Sequence, residues 1–512
     1  DCTSGLLRSP ATVRRSPPGN GRPIGISTFR PDALRDCYDE STGSPPRRLE
    51  PDRKGYQAVR YSPDVVALST DLYQLTMAAS YDALDMDAEA TFSLTVRGLP
   101  ENRSFLVAAG IEEALKRIAE LRFDERALEA LAAILQIRRE VLDRLARFRF
   151  SGDVWAMPEG SIAFADEPIL EVQAPILEAQ IVETMVLNAI HFPTTVATKA
   201  ARCVLAAPGK PLVEFGLRRT PGIEAGLEVA RACYLAGFVG TSNVLAEREY
   251  GIPASGTVAH SFIEAFDNES ETFRAFARTF PGGATLLIDT YDTVRGARRA
   301  AAVAREVAPE GVRIAAVRLD SGDLLALSRG VRAILDGAGL ESVTIIASGG
   351  LDEYSLAELV EQDAPIDAYG VGTRVGTAAD APTLDMVYKL VEYAGRPRLK
   401  LSTGKRTLVG PKQVWRLPGP PFGGDVIATR DEPAPADGWT PLLEQRMRGG
   451  EIVVSETLDA ARERVRVGLA ALPPELHALD GRGASPVRLS TRLERDQAPA
   501  EDALREWEGR LM

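Results

Sequence analysis

Six short apolar runs between residues 211 and 373 each end in glycine or in polar side chains. Segments with helical periodicity separate the runs, which lie near 211–216, 237–240, 285–289, 314–319, 343–347 and 367–371. Buried strands that alternate with amphipathic helices predict a parallel sheet with helical crossovers. Six to eight such units within roughly 200 residues favour an irregular α/β (TIM-like) barrel. No GxGxxG motif follows the first run, which argues against a dinucleotide-binding sheet.

The sequences at the ends of these runs have the chemistry of a substrate site. They read VEFGLRR, GFVGTSN, TLLIDTYD, AAVRLDSGD, TIIASGG and AYGVGT. They supply an aromatic ring, guanidinium groups, carboxylates and glycines, whose backbone N–H groups can approach phosphate oxygens closely. Because active sites of such barrels lie at the carboxyl ends of the strands, we expect these groups to meet. The set suits a flat anionic ring beside a phosphorylated sugar.

The length of 512 residues is too great for one compact core and predicts about three domains. Residues 1–62 are rich in Pro, Arg, Ser and Gly and have few periodic apolar positions, so they are predicted to be a disordered tail. We predict an N-terminal α/β domain over 63–200 and the barrel over 201–395. Residues 396–512 are expected to complete the smaller domain.

The composition excludes several classes of protein. A net charge of −12 argues against a nucleic-acid surface. No apolar run approaches the roughly 20 residues of a membrane-spanning helix. The four cysteines have no CxxC spacing and the three histidines are scattered, which disfavours a zinc site or a disulfide framework. This cysteine usage suits a reducing cytosol, so a cytoplasmic location is predicted.

The N-terminal domain is predicted to begin with a helix over residues 67–81, capped by Ser69 or Thr70 and carrying Tyr73 in its first turn. Alternation over 88–99 predicts a strand. The Leu- and Ala-rich segment 105–148 is predicted to be helical.

Seven segments, in this order, resemble the bacterial nicotinate phosphoribosyltransferase family: TDLYQLTM, EFGLRRTPG, GTSNVLAEREYGIPASGTVAHSF, IDTYDTVRGARRA, RLDSGDL, ASGGLDE and YGVGTRVGT. With KLSTGK and GPKQVWR, the resemblance covers about 64–416. It implies the type II phosphoribosyltransferase fold, in which an irregular α/β barrel packs against a smaller α/β domain built from both ends of the chain. It also implies a homodimer whose active site lies at the subunit boundary.

The resemblance implies synthesis of nicotinate mononucleotide from nicotinate and phosphoribosyl pyrophosphate, with release of pyrophosphate. ATP is the implied co-substrate, giving ADP and phosphate through a phosphohistidine, and Mg²⁺ is the implied cofactor. The family's phosphorylated histidine matches His260. Arg318 matches the guanidinium that faces the nicotinate carboxylate, for which a planar fork is suited. Asp289 and Asp320 match carboxylates near Mg²⁺ and pyrophosphate, and Asp320, like Arg318 and His260, is also an expected catalytic residue.

The same resemblance implies the substrate-binding residues. Phe215 matches the ring that stacks on the pyridine, and Tyr73 matches a tyrosine from the partner subunit that closes the stack. Arg218 matches a further substrate-site arginine, expected on phosphate rather than on the ring. The expected 5′-phosphate and ribose loops contain Ser348, Gly349, Gly350, Gly372 and Thr373. Lys389, Lys400, Lys405 and Lys412 are either phosphate ligands across the interface or ordinary solvated lysines, and the sequence leaves both open.

Ser242 distinguishes two activities of the same chemistry. The related nicotinamide phosphoribosyltransferase has an acidic residue at the matching position, which would repel the nicotinate carboxylate. Serine can donate a hydrogen bond instead, so nicotinate is the expected substrate. A phosphate-binding barrel lyase is a second alternative, but the strand ends lack the lysine that a Schiff base needs. A non-catalytic relative would be expected to lose several of these residues, and His260, Arg318, Asp320 and Phe215 are all present.

Overall fold

The structure is a computed structural model that describes residues 62–135, 138–400, 407–419, 422–481, 483 and 486–511. Residues 1–61 of the predicted tail lie outside the described residues.

The described helices are α1 (Pro63–Leu68), α2 (Leu72–Ala83), α3 (Ile111–Glu120), α4 (Glu125–Leu135), α5 (Arg139–Ala146), α6 (Ile176–Ile181), α7 (Glu183–Ala206), α8 (Ile223–Ala236), α9 (Val244–Tyr250), α10 (His260–Glu264), α11 (Glu269–Thr279), α12 (Thr293–Val307), α13 (Leu324–Gly337), α14 (Glu353–Glu361), α15 (Thr373–Gly376), α16 (Leu458–Ala471), α17 (Pro474–His477) and α18 (Thr491–Leu511). The described strands are β1 (Glu89–Val96), β2 (Leu106–Val107), β3 (Asp153–Ala156), β4 (Ile162–Ala163), β5 (Pro168–Pro175), β6 (Leu212–Glu214), β7 (Gly240–Thr241), β8 (Ala284–Leu287), β9 (Ile314–Leu319), β10 (Thr344–Ala347), β11 (Ala368–Val371), β12 (Met386–Tyr393), β13 (Arg396–Pro397), β14 (Lys412–Arg416), β15 (Asp425–Thr429), β16 (Thr440–Pro441), β17 (Glu444–Arg448), β18 (Glu451–Ile452) and β19 (Val487–Leu489).

Strands β6 to β11 form a parallel six-stranded sheet in the order β7-β6-β11-β10-β9-β8. The residues of strands β9 and β11 are almost all buried, which explains why these strands read as largely apolar runs. The sheet curls into half a barrel, and no strand pairing joins its edges β7 and β8 within the described part of the chain. The prediction of an irregular α/β barrel is therefore confirmed.

A seven-stranded antiparallel sheet, in the order β13-β12-β1-β5-β3-β17-β18, forms the second unit. Its strands come from residues 89–175 and from 386–452, so distant parts of the chain build it, as the resemblance implied. Strand β12 falls within the predicted barrel segment 201–395. It pairs with β1 along its length, so residues 386–393 belong to the antiparallel sheet instead.

Two hydrophobic cores accompany the two large sheets. Helix α7 joins them, because Ala197 and Ala200 lie in the core of the parallel sheet while Val186 and Ile190 lie in the other core. Both groups of side chains are essentially inaccessible to solvent. The 24-residue helix thus fixes the barrel against the antiparallel sheet.

Three local predictions differ from the structure. The segment 105–148 contains the short strand β2 and three separate helices. The N-cap position of helix α2 is Asp71 rather than Ser69 or Thr70, and the Asp71 side chain makes no capping hydrogen bond. The second barrel strand lies at Gly240–Thr241 rather than at 237–240, because Gly237, with φ of 125°, ends helix α8. None of the described helices has both the length and the apolar character to cross a lipid bilayer.

Candidate active site

The carboxyl ends of strands β6 to β11 meet at one edge of the parallel sheet, where such barrels place their active sites. The predicted residues at this edge are Phe215 and Arg218 after β6, Ser242 after β7, Asp289 after β8, Arg318 and Asp320 at the end of β9, Ser348, Gly349 and Gly350 after β10, and Gly372 and Thr373 after β11. The sheet therefore gathers residues that are up to about 160 positions apart in the chain.

Asp320 connects three neighbouring strand ends. Its backbone N–H donates a hydrogen bond of 2.9 Å to Oδ2 of Asp289, at the end of β8. Its own Oδ1 accepts a hydrogen bond of 2.6 Å from the Ser348 hydroxyl, at the end of β10. These bonds hold the predicted carboxylates and the first glycine loop in one cluster.

His260 lies at the start of helix α10 and faces this cluster. Its Nδ1 is 3.1 Å from the hydroxyl oxygen of Thr290, and its Nε2 is 3.7 Å from Oδ2 of Asp320. The imidazole is 38% exposed, so a ligand can reach it. An accessible imidazole with one nitrogen already hydrogen-bonded meets the geometric needs of a nucleophilic histidine.

The Arg318 guanidinium is held from two sides but keeps an unused donor. One terminal nitrogen donates to the hydroxyl of Thr257 and to the carbonyl oxygen of Val258, the latter at 3.3 Å. The other lies 3.4 Å from Oδ1 of Asp320. The Nε atom is buried, and no described group accepts its hydrogen. A fixed guanidinium with a free donor is suited to a planar carboxylate ligand.

Asp289 has one oxygen that is used and one that is not. Its Oδ2 accepts from the backbone of Asp320 and, at 2.6 Å, from the Ser321 hydroxyl. Its Oδ1 is buried without a hydrogen-bond partner in the described structure. The described residues contain no cluster of three or more His, Cys, Asp or Glu side chains arranged for a metal ion. Mg²⁺ usually takes one or two carboxylates plus substrate phosphates, so this pair fits an ion that arrives with phosphate.

The glycine loops approach neighbouring backbone too closely for a side chain. Gly349 has φ of 95°, and a Cβ atom there would lie 1.9 Å from the carbonyl oxygen of Asp320. A Cβ atom on Gly372 would lie 2.8 Å from the carbonyl oxygen of Phe215. Such loops leave backbone N–H groups accessible for phosphate oxygens.

The Phe215 ring lies against the backbone of Gly370 in strand β11. A Cβ atom on Gly370 would be 2.4 Å from the ring, so glycine makes this placement possible. The Phe215 N–H donates to the carbonyl oxygen of Val371 at 2.8 Å, and the ring is partly exposed. On the other side of β6, the Ser242 N–H donates to the carbonyl oxygen of Glu214 at 2.8 Å.

Tyr73 and Arg218 are not tied to this cluster in the single chain. Tyr73 lies on α2, which packs against α6, and it is 47% exposed. Partial burial, with the nearby Glu183 charge, raises the pKa of its hydroxyl. Arg218 lies in an exposed 3-10 turn, Leu217–Arg219, and no described residue accepts a hydrogen bond from its guanidinium. Both side chains remain available to a ligand or to a second subunit.

The predicted lysines divide into two kinds. Lys389 and Lys400 are exposed and, with Lys412, line a cavity of about 120 Å³ beside strand β12. Lys412 is buried and pairs with Glu171 at 3.1 Å, while burial lowers its pKa. The Lys412 ammonium group is therefore used in a buried ion pair within the fold. Lys405 lies outside the described residues.

Sequence reasoning missed the polar residues that support the predicted ones. Thr257 holds Arg318, and Thr290 holds His260. Glu214 is buried at the end of β6 and accepts a hydrogen bond of 2.6 Å from Thr241. The only signal for Glu214 in the sequence was a carboxylate closing an apolar run. The threonines had no signal, because their partners are distant in the chain.

Comparisons with known proteins identify the family of the chain. A model described as the nicotinate phosphoribosyltransferase N-terminal domain matches residues 68–191, and one described as the nicotinate phosphoribosyltransferase family matches 211–406. The chain is 49% identical over 433 residues to nicotinate phosphoribosyltransferase pncB2 of Mycobacterium tuberculosis. The aligned region covers 84% of this chain and 92% of that protein.

Two further relatives agree. Nicotinate phosphoribosyltransferase of Bacillus subtilis is 38% identical over 384 residues, which is 73% of this chain and 78% of that protein. The crystal structure of human nicotinic acid phosphoribosyltransferase superposes with a TM-score of 0.75 at 30% identity, covering 83% of this chain and 98% of that one. The chain therefore belongs to the nicotinate phosphoribosyltransferase family and is a phosphoribosyltransferase.

Proposed function

We propose that the protein joins nicotinate to phosphoribosyl pyrophosphate and releases nicotinate mononucleotide and pyrophosphate, a step of NAD salvage. The observation that carries the proposal is the convergence of Phe215, Arg318 and Asp320 at one edge of the parallel sheet, in a chain of this family. An aromatic face and a fixed guanidinium match the two features of nicotinate, its flat ring and its carboxylate.

Nicotinate binds between the β6 and β9 strand ends in this proposal. Phe215 stacks on the pyridine, and the unused Nε–H of Arg318 donates toward the carboxylate. The Ser242 hydroxyl, at the end of β7, donates to the same end of the substrate. Tyr73 of the partner subunit closes the stack, and its exposure on α2 leaves it available for this role.

Phosphoribosyl pyrophosphate binds along the neighbouring strand ends. The loops with Gly349 and Gly350 and with Gly372 and Thr373 take the 5′-phosphate through backbone N–H groups, together with Ser348. Asp289 and Asp320 would hold Mg²⁺, since Asp289 has a buried oxygen without a partner. When bound, the ion supplies neutralisation of the charge on pyrophosphate. Arg218, and the exposed Lys389 and Lys400 at the subunit boundary, contribute positive charge near the phosphates.

The reaction is a displacement at the anomeric carbon. The bond from that carbon to the pyrophosphate oxygen breaks, and pyrophosphate leaves with the electron pair. The pyridine nitrogen then supplies the pair for the new C–N bond. The chain contributes positioning and charge stabilisation, and no side chain need attack the sugar.

ATP is the proposed co-substrate, and His260 is the proposed phosphoacceptor. A ring nitrogen of His260 attacks the γ-phosphorus, and ADP leaves. Water later cleaves the phosphorus–nitrogen bond, which returns the histidine and releases phosphate. Thr290, at 3.1 Å from Nδ1, orients the ring. The proposed location is the cytoplasm, because Cys203 and Cys233 are free thiols buried in the helices, as suits a reducing compartment.

The test is to incubate the purified chain with nicotinate, phosphoribosyl pyrophosphate, Mg²⁺ and ATP and to identify the product by mass spectrometry. Nicotinate mononucleotide is expected, and omission of phosphoribosyl pyrophosphate should abolish it. A parallel incubation replaces nicotinate by nicotinamide. Product formed only from nicotinamide would assign the chain to the amide substrate instead, and no mononucleotide from either base would overturn the proposal.

A further inference from the structure

The carboxyl group of Glu214 connects the two loops that lie on either side of strand β6. Glu214 is completely buried at the end of that strand. Its Oε2 accepts a hydrogen bond of 2.6 Å from the Thr241 hydroxyl, and its Oε1 accepts one from the Gly216 N–H. No lysine, arginine or histidine of the described chain forms an ion pair with it. A carboxyl group buried without a cation is costly, so these two bonds are what make its burial tolerable.

Each partner of Glu214 adjoins a residue of the proposed pyridine pocket. Gly216 follows Phe215 and begins the turn that carries Arg218. Thr241 precedes Ser242, and its oxygen also accepts the Asn243 N–H at 3.0 Å. Because that N–H occupies a lone pair, the Thr241 hydrogen is free to point at Glu214. The chain of bonds runs from Asn243 through Thr241 and Glu214 to Gly216.

We propose that Glu214 is a positioning residue for the base, fixing the loop that bears Phe215 relative to the loop that bears Ser242. Thr241 is the second member of this clamp. The inference rests on the proposed function, since it assumes that these two loops hold nicotinate. It assigns Glu214 no contact with substrate and no proton transfer.

Loss of the clamp is expected to weaken the binding of nicotinate more than the binding of phosphoribosyl pyrophosphate. Its hydrogen bonds act on the β6 and β7 ends, whereas the first glycine loop is tied to Asp320 through Ser348 on the far side of β11. Loosening the clamp should therefore raise KM for nicotinate more than KM for phosphoribosyl pyrophosphate, for which a smaller rise is expected because Gly372 also packs against the β6 end.

The experiment measures both KM values and kcat for the full-length chain. Thr241→Val removes the hydroxyl at almost constant volume and is expected to raise KM for nicotinate on the order of tenfold, the scale of one lost hydrogen bond to a carboxylate. Thr241→Ser keeps the hydroxyl, so its KM for nicotinate should stay within about twofold of the value for the unsubstituted chain. Glu214→Gln should resemble Thr241→Val, and the double variant should be no worse than the single ones.

Thr198→Val is the matched control, because Thr198 is a buried threonine in α7. Its hydroxyl donates to the backbone carbonyl oxygen of Thr194 at 2.7 Å and accepts the Val107 N–H. It should lower the free energy of unfolding but not change KM for nicotinate. An unchanged KM in Thr241→Val, or an equal rise in Thr241→Ser, would overturn the clamp while leaving the proposed function intact. Absence of nicotinate turnover in the unsubstituted chain would instead overturn the proposed function. If Glu214→Gln does not fold, the comparison of Thr241→Val with Thr241→Ser still tests the clamp.

Discussion

The Nε2 atom of His260 lies 3.7 Å from Oδ2 of Asp320. The two residues are sixty positions apart, and they meet because α10 begins beside the end of β9. The same aspartate touches Asp289 and Ser348. The proposed phosphoacceptor therefore adjoins the residues proposed to hold metal and phosphate, which gives ATP cleavage a direct route to influence phosphoribosyl binding.

His260→Ala is expected to abolish ATP hydrolysis while some ATP-independent transfer remains, because the sugar displacement needs no nucleophile from the protein. ATP hydrolysis and mononucleotide formation would be measured in the same reaction. His477→Ala is the control, since that imidazole is 2.9 Å from the Leu469 carbonyl oxygen, away from the strand ends. Unchanged ATP hydrolysis in His260→Ala would reject the phosphoacceptor role.

Ser242→Asp is expected to lower kcat/KM for nicotinate by at least about tenfold, because a carboxylate there would face the substrate's own carboxylate in a desolvated pocket. Ser242→Asn is the matched neutral variant and should lose less. The comparison uses both nicotinate and nicotinamide as substrates. Full nicotinate activity in Ser242→Asp would show that this position does not select the acid.

Gly349→Ala and Gly350→Ala form a matched pair in the first glycine loop. Both glycines have positive φ, of 95° and 68°, but only at Gly349 would a Cβ atom strike backbone, at 1.9 Å from the Asp320 carbonyl oxygen. Gly350→Ala should cost about 1 kcal/mol of stability. Gly349→Ala should cost more and raise KM for phosphoribosyl pyrophosphate. Urea unfolding and steady-state kinetics measure the two effects, and equal behaviour of the pair would contradict this account of the loop.

Glu167 predicts a pH dependence of stability. Burial, together with the nearby Asp425 charge, raises the pKa of its carboxyl well above the usual 4.5. The native state therefore binds this proton more tightly than the unfolded state does. The stability contributed is complete below the unfolded pKa of about 4.5 and falls as pH rises towards the folded pKa, by at most about 1.4 kcal/mol per pH unit.

Glu167→Gln should flatten this dependence, because a neutral amide can accept the Phe164 N–H, now bonded at 2.8 Å, and donate toward Asp425. The free energy of unfolding would be compared between about pH 6 and pH 9. The unsubstituted chain is expected to lose more stability over this interval than the variant. Parallel curves for the two proteins would mean that Glu167 is not held protonated.

Local patterns in the sequence predicted the barrel strands well, because each strand is an apolar run closed by polar residues. The predicted position of the second strand was wrong because Gly237 ends helix α8 and Phe238 is buried in the core of the parallel sheet, so neither belongs to the strand. The pairing of β12 with β1 was not predictable, since it depends on residues about 300 positions apart.

The site residues at the ends of the barrel strands were predicted from the resemblance. The hydrogen-bond and ion-pair partners of these and other predicted residues are known only from the structure. The committed charge of Lys412 depends on Glu171, and the orientation of His260 depends on Thr290. Such partners cannot be predicted from spacing, because hydrogen bonds between distant segments leave no periodic signal. Tyr73 remains a prediction, since its proposed role requires a second subunit.

The central claim is that the strand ends form one pocket for nicotinate beside phosphoribosyl pyrophosphate. Its most direct test is the ratio of kcat/KM for nicotinate to that for nicotinamide, measured for the unsubstituted chain and for Arg318→Gln. We expect a ratio well above one that falls by at least about tenfold in the variant, because Arg318 is the residue proposed to recognise the carboxylate. A ratio that Arg318→Gln leaves unchanged would contradict the claim.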